Sequence, residues 1–406
     1  MRWIITLAIL VVVEIYAYQA FRTLFKIRLL PFLYFGITLF VIGLTIYSFN
    51  QPNPGGGLSG LRGYMIGVIL SLVALKILIS IFAFGEDILR SITYLYGKLF
   101  TDSGQTFPSR RKFVSTIAIG LGAIPFLSLL YGMYKGRYDF RVLKYELTFD
   151  NLPAEFDGYQ ITQISDIHSG SFDNKNKIEY AVDLVNEQAS DSIFFTGDLV
   201  NDLASEMSGW SDIFKRLKAK DGVFSILGNH DYGDYHDFES EEAKVKNLDN
   251  LVQLQRDMGW DLLRNEHREI KRGNSKINLI GVENWGKGGF KKAGDFDLAS
   301  KSVDSKSFKI LLSHDPSHWD EIIKNHPKDV QLTLSGHTHG MQFGIEIPGW
   351  FKWSPAQYRY TQWAGIYKKA QRYLNVNRGF GYLAYPGRVG IWPEVSVITL
   401  KRSEQV

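Results

Sequence analysis

Four apolar runs, each about twenty residues long, fill most of the first 135 residues of this chain, and no other feature restricts its fold as much. They are 3–25 (WIITLAILVVVEIYAYQAFRTLF), 29–49 (LLPFLYFGITLFVIGLTIYSF), 63–84 and 113–134. At ~1.5 Å per helical residue, a run of about twenty crosses roughly 30 Å of hydrocarbon. Residues 1–135 therefore read as a transmembrane region. The first run exceeds a signal-peptide core and has no small-residue cleavage site after it, so it reads as an uncleaved helix. Four runs together argue against a soluble helical bundle. Glu14 and Lys76 interrupt the first and third runs; on different helices and without a pathway motif, they read as structural. The turn-rich NQPNPGGGLSG (50–60) and DSGQTFPS (102–109) read as loops, and 86–107 as an interfacial amphipathic piece plus linker.

The remaining two thirds has a different texture. From about Phe140, short β-rich runs alternate with helix-like segments, as an α/β domain requires. Strands are expected at 159–165, 192–196, 222–227, 308–313 and 330–335, a helix at 175–189, and later strands within 342–347, 362–376 and 394–400. Each of the first five strands runs into an aspartate, asparagine or histidine. Ligands of α/β sheets bind beyond the carboxyl ends of the strands, so residues far apart in sequence can converge there.

The residues so placed are Asp166 and His168 (SDIHSG), Asp198 (TGDLVND), Asn229, His230 and Asp231 (LGNHDYG), His314 (LSHDP), and His337 and His339 (SGHTHG). Five of the nine histidines lie in these fragments. Imidazole, carboxylate and amide oxygen without sulfur suit a divalent ion such as Mn, Fe or Zn. Such donors outnumber the needs of one ion, and two ions sharing a carboxylate would use them. The chain has no cysteine, which excludes disulfides, thiol catalysis and zinc–cysteine sites. A net charge of +4 without a basic stripe gives no reason to expect nucleic acid as a partner.

The ordered set D-x-H, G-D-x-x-[DN], G-N-H-[DE], H, G-H-x-H resembles that of the calcineurin-like metallophosphoesterases, over about 145–402. GHTHGMQ and the membrane anchor look most like the bacterial membrane-associated branch, which includes enzymes similar to UDP-2,3-diacylglucosamine pyrophosphatases. The resemblance implies a four-layer α/β/β/α sandwich over 138–402, behind a bundle of about four transmembrane helices. It also implies a dinuclear centre. One metal would be held by Asp166, His168, Asp198 and His339, the other by Asp198, Asn229, His314 and His337, with a bridging hydroxide as nucleophile. His230 would stabilise charge or protonate the leaving oxygen. The implied activity is hydrolysis of a phosphoester or phosphoanhydride bond, on a membrane-associated, lipid-linked substrate. A tethered nucleotide or sugar-phosphate phosphodiesterase is the alternative. An inactive signalling or binding protein is a third reading, opposed by the intact ligand set, and four helices without a substrate motif give a transporter little support.

The implied location is a bacterial inner membrane. Arg22, Lys26 and Arg28, and Arg90, Lys98, Arg110, Arg111 and Lys112, outweigh the basic residues of the other side, placing the catalytic domain on the extracytoplasmic face. Two positions depart from the family pattern. Asn201 replaces the aspartate that orients the G-N-H histidine, leaving an amide for that task, and Met341 replaces a glycine after GHTHG and narrows the loop's freedom. Arg378 in NRGFG reads as a turn residue that could also reach a phosphate. IPGWFKWSP (347–355) reads either as a core-packed loop or as an interfacial aromatic wall, and DYGDYHDFESEE (231–242) as a solvated loop rather than a lid. His236, His267, His318 and His326 read as surface or helix-end residues.

Overall fold

A computed structural model describes residues 2–52, 58, 60–100, 108–347 and 349–403. Residues 53–57 and 59 of the expected loop at 50–60 and residues 102–107 of that at 102–109 lie outside the described residues, and so does Pro348 of the aromatic segment. The chain divides into two compact units, one of residues 1–52 and 61–134, the other chiefly 135–406.

In the first unit, α1 (Arg2–Leu24), α2 (Leu30–Phe49), α3 (Gly60–Phe100) and α4 (Pro108–Tyr134) are each long and apolar enough to cross a membrane. Helix α3 does not stop near 84. No proline interrupts it and Gly85 alone does not break it, so the expected interfacial piece continues the same helix through Phe100. At 41 residues it is about 60 Å long, twice the hydrocarbon thickness. Glu14 and Lys76 meet: Lys76 Nζ lies 2.9 and 2.8 Å from the two Glu14 carboxylate oxygens. Thr38 of α2 donates to Glu14 Oε1 at 2.9 Å and accepts from Lys76 at 2.9 Å, so one polar cluster ties three helices. Ser80 adds a bond to the Val13 carbonyl at 2.9 Å.

The second unit is built from fourteen strands and five short helices among the described residues. In chain order these are β1 (Arg141–Phe149), β2 (Gln160–Ile164), α5 (Lys175–Asn186), β3 (Ser192–Phe195), α6 (Ser211–Phe214), β4 (Val223–Ser225), α7 (Glu241–Asp257), β5 (Asp261–Leu262), β6 (Glu266–Arg272), β7 (Ser275–Gly281), α8 (Phe296–Ala299), β8 (Lys309–Leu312), α9 (Pro316–Glu321), β9 (Leu332–Ser335), β10 (Ile345–Ile347), β11 (Phe351–Trp353), β12 (Gly365–Lys369), β13 (Arg372–Val376) and β14 (Glu394–Arg402). Two six-stranded sheets have the orders β1-β14-β2-β3-β4-β5 and β12-β13-β9-β8-β7-β6; β10 and β11 form a separate hairpin. Strands β2, β3, β4 and β5 run parallel, as do β13, β9, β8 and β7.

Every residue of β3, β8 and β9 is buried, as parallel strands covered on both faces require. Between the sheets, Ile161, Phe194 and Ile398 pack against Ile277, Ile310 and Leu332. On the outer face of the first sheet, Ile164, Phe195 and Val223 meet α5, α6 and α7. Outside the second, Ile280 and Leu311 meet α8 and α9. The result is the four-layer α/β/β/α sandwich. Helix α5 shows how local sequence serves it: Asn174 caps the Lys177 N–H, and Ile178, Ala181, Val182 and Val185 recur on its buried side. The expected 362–376 strand is a hairpin, β12 and β13, because its ends pair with each other across 370–371. Helix α7 begins at Ser240, whose hydroxyl accepts the Ala243 N–H, so the acidic stretch ends in a helix cap rather than open loop.

Candidate metal centre

The loops following β2, β3, β4, β8 and β9 bring the sequence candidates to one place. Asp198 Oδ2 lies 3.1 Å from His314 Nε2 and 3.6 Å from His168 Nε2, between two groups of imidazoles. Asp166 Oδ1 is 3.2 Å from His339 Nε2. His168 and His339 approach with their Nε2 atoms 3.1 Å apart, and His337 Nδ1 lies 2.7 Å from Asn229 Oδ1 and 3.3 Å from His314 Nε2. Asp166, His168 and His339 form one triad whose donor atoms lie within 4.8 Å of one another; Asp198, His314 and His337 form a second.

The backbone is bent to make this possible. Asp166, His168, Asp198, His337 and His339 all have positive φ, between 49° and 71°. A non-glycine residue there costs about 1–2 kcal/mol, and such strain persists where surrounding structure imposes it, typically at functional sites. Met341 also sits at φ 49°, so the missing glycine is tolerated at a conformational cost. The close approach is real at Gly336 and Gly228: a Cβ on the first would collide with the Asp166 carboxylate, and on the second with that of Asp198.

Neighbours fix the orientation of the donors. His314 Nδ1 lies 2.7 Å from the Thr196 carbonyl, so Nδ1 carries the proton and Nε2 faces the cluster. His337 is turned the other way round: Nε2 faces the Tyr360 hydroxyl at 2.7 Å and Asp315 at 3.3 Å, leaving Nδ1 inward. Asp231 is fully buried and accepts the backbone N–H groups of Asp198, Leu199 and Gly228 at 2.8–2.9 Å, clamping two strand-end loops together. Burial, then the Asp198 charge, push its carboxyl up to about 7. Glu206 plays a similar part, accepting N–H groups from Asn201, Asp202 and Leu203; burial raises it to about 7. Burial alone would raise Asp198, but the His314 and His230 charges hold it well below the ordinary carboxylate range.

Four expectations need correction. The Asn201 amide does not orient His230: its side chain pairs with the Ser171 hydroxyl, and the Asn201 backbone carbonyl meets His230 Nδ1 at 2.7 Å. Arg378 is not free for a phosphate, because Glu394 (2.6 Å) and Glu346 (2.5 Å) from two different strands hold its guanidinium. The acidic stretch is not simply solvated, since Asp231 and Tyr232 are buried and the Tyr235 hydroxyl accepts from Asn229 Nδ2 at 2.9 Å. His318 is buried, stacked on Trp285 and bonded to Ser313, because α9 turns it into the fold. Sequence reasoning also passed over Arg388, which is fully buried with Nη2 3.1 Å from His339 Nδ1. Burial lowers it to about 9. Tyr360 and Asp315 were missed too; the only signal was the Asp-Pro of an N-cap, and Asp315 does cap α9.

The cluster opens into a cleft of about 310 Å³, rimmed by Tyr235, Phe290, Met341, Arg359 and Tyr360. Its chemistry suits cations. Two imidazole nitrogens at 3.1 Å share at most one proton, so a lone pair is left aimed into the cluster. Four imidazoles and two carboxylates so arranged make a poor hydrogen-bond network and a good cage for divalent ions.

A two-sheet sandwich whose strand ends gather such donors, on a chain with four spanning helices, has the build of a membrane-bound metal-dependent phosphoesterase. Residues 159–341 match the family model "Calcineurin-like phosphoesterase", and residues 1–137 match "Probable Calcineurin-like phosphoesterase, transmembrane domain". The chain belongs to the calcineurin-like phosphoesterases: it is a membrane protein and a metallophosphoesterase, a hydrolase acting on phosphorylated substrates with divalent metal. It is 28% identical over 274 residues to the uncharacterized metallophosphoesterase YkuE of Bacillus subtilis, covering 67% of this chain and 89% of that one. An uncharacterized metallophosphoesterase of Helicobacter pylori is 27% identical over 420 residues, covering 99% of this chain and all of that one. The zebrafish transmembrane protein with metallophosphoesterase domain is 26% identical over 282 residues; the match covers 68% of this chain and 60% of that one. Among solved structures, TT1561 of Thermus thermophilus aligns with a TM-score of 0.34 and 12% identity over 57% of this chain and 91% of that one, too loosely to bear on function.

Proposed function

We propose that this chain hydrolyses a phosphoester or phosphoanhydride bond at a two-metal centre, on a substrate held in or at the membrane. The observation that carries the reading is the pair of donor triads meeting at one Asp198 oxygen. Asp166, His168, His339 and Asp198 would hold one divalent ion, and Asp198, Asn229, His314 and His337 the other. Two such ions supply Lewis acidity toward phosphoryl oxygens and a water nucleophile at neutral pH; Mn, Fe or Zn fits the donor set.

The residues around them have separate tasks. Asp231 and the Thr196 carbonyl keep Asp198 and His314 in place. His230 borders the cleft, and its Nδ1 is engaged by the Asn201 carbonyl, which leaves Nε2 as the nitrogen able to hold a proton for the leaving oxygen. The membrane-borne substrate is supported by the chain's own anchor, and the extracytoplasmic placement by the lysine and arginine bias of its loops.

The test uses the full chain in detergent with manganese and a soluble bis-ester. Asp198→Asn should lower turnover by more than the ~10–100-fold that loss of an outer-shell partner costs, and lower bound metal as read by elemental mass spectrometry. Equal turnover and metal content in wild type and variant would remove the two-metal reading.

A further inference from the structure

The hairpin of β10 and β11 has its faces reversed. In an ordinary surface hairpin the apolar residues point inward. Here Ile345, Ile347 and Phe351 are exposed, and Trp350 at the turn is 80% exposed. The carboxylate of Glu346, between the two isoleucines, is turned inward instead and held by Arg378 at 2.5 and 3.0 Å. Tyr358, just beyond the hairpin, is 79% exposed. An arginine already occupied by Glu394 thus fixes the reversal, which leaves an apolar tip built into the fold rather than a chance exposed side chain.

We propose that this tip docks into the interface of a lipid bilayer and holds the cleft at the membrane surface. Tryptophan, tyrosine and phenylalanine at the edge of an apolar patch suit the headgroup level, where one end of the ring is apolar and the other wet. Among the described residues no carboxylate pairs with Arg359, a cation on the cleft rim suited to lipid phosphate. The occupant is lipid rather than a second copy because the five side chains expose on the order of 600 Å², short of the ~800 Å² per partner of a standard protein interface. The hairpin is also continuous with the cleft. The chain leaves the rim at Met341, makes the hairpin, and returns to the rim at Arg359 and Tyr360.

The absence of cysteine makes the test direct. Full-length Trp350→Cys and, as control, Tyr180→Cys on exposed α5 are each labelled with one environment-sensitive dye and placed in nanodiscs of phosphatidylcholine and phosphatidylglycerol. Lipids carrying a nitroxide on the acyl chain should quench the dye at 350 at least fivefold more than at 180, and aqueous iodide should do the reverse. Equal quenching at the two positions by both agents overturns the proposal. So does protection at 350 that appears only as particles come to hold two chains, which would assign the tip to a second copy. The readout needs no turnover, so its failure and that of the hydrolase reading are told apart.

Discussion

Two of the places where the chain buries charge are wired differently. Among the membrane helices, Lys76 spends its donors on both oxygens of Glu14 and on Thr38, and Thr38 donates onward to Glu14. Every charge there has an opposite neighbour, and the cluster is closed. At the strand ends of the catalytic unit, nitrogen faces nitrogen between His168 and His339 and between His314 and His337. That cluster is open: its donors agree with one another only when cations complete it. The contrast separates polar groups that hold a fold together from polar groups that wait for a ligand, although both are buried and both join distant segments.

The closed cluster is the one to break first. Lys76→Met should leave the Glu14 carboxylate uncompensated and cost about 3–5 kcal/mol, read as loss of monodisperse protein after extraction, while Glu14→Gln with Lys76→Met should recover most of it. A single variant as stable as wild type would show that the pair is not closed by need. In the open cluster, Asp231→Ala removes the acceptor of four loop N–H groups without removing a donor to metal. Metal affinity should fall about 10–100-fold, as when an orienting neighbour is lost, in a manganese titration followed by calorimetry.

The smallest effect sharpens the comparison inside one unit. His318 is a buried imidazole of the closed kind, satisfied by Ser313 and Trp285. Burial depresses it from 6.5 to about 4. Between those values the unfolded chain binds the extra proton, so the stability due to a neutral His318 is complete above about pH 6.5 and is lost as pH falls toward 4. From pH 7 to pH 5 the loss is about 2 kcal/mol. His318→Gln should therefore lose less stability than wild type over that interval, by thermal unfolding at both pH values; parallel losses would count against it.

These differences explain which parts could be read from the sequence. The spanning helices declare themselves by length and apolarity, and the strand-end residues by their place after buried β runs. The partners do not. Glu14 and Lys76 are 62 positions apart on helices whose facing sides carry no marker, so their pairing was hidden. Arg378 and Arg388 stand ten residues apart in similar glycine-rich loops. What assigns the first to Glu346 and Glu394 and the second to His339 is strand register and loop path. Asn201 shows the same limit at close range: the sequence points to its side-chain amide, but its carbonyl, a group every residue has, is what touches His230.

Strand β14 has a consequence for how the protein is made. It lies between β1 and β2, pairing with β1 over residues 394–402 and with β2 over 396–399. Synthesis runs from the amino end, so β1 leaves the ribosome about 250 residues before the strand that must sit beside it. The membrane helices can insert early, and the second sheet can largely form. The first sheet stays open until its inner strand arrives, keeping β1 and β2 apart as unpaired edges through most of translation. A chain stopped before Glu394 would carry every proposed metal ligand and still lack the strand that joins the anchored end of its sheet to the rest.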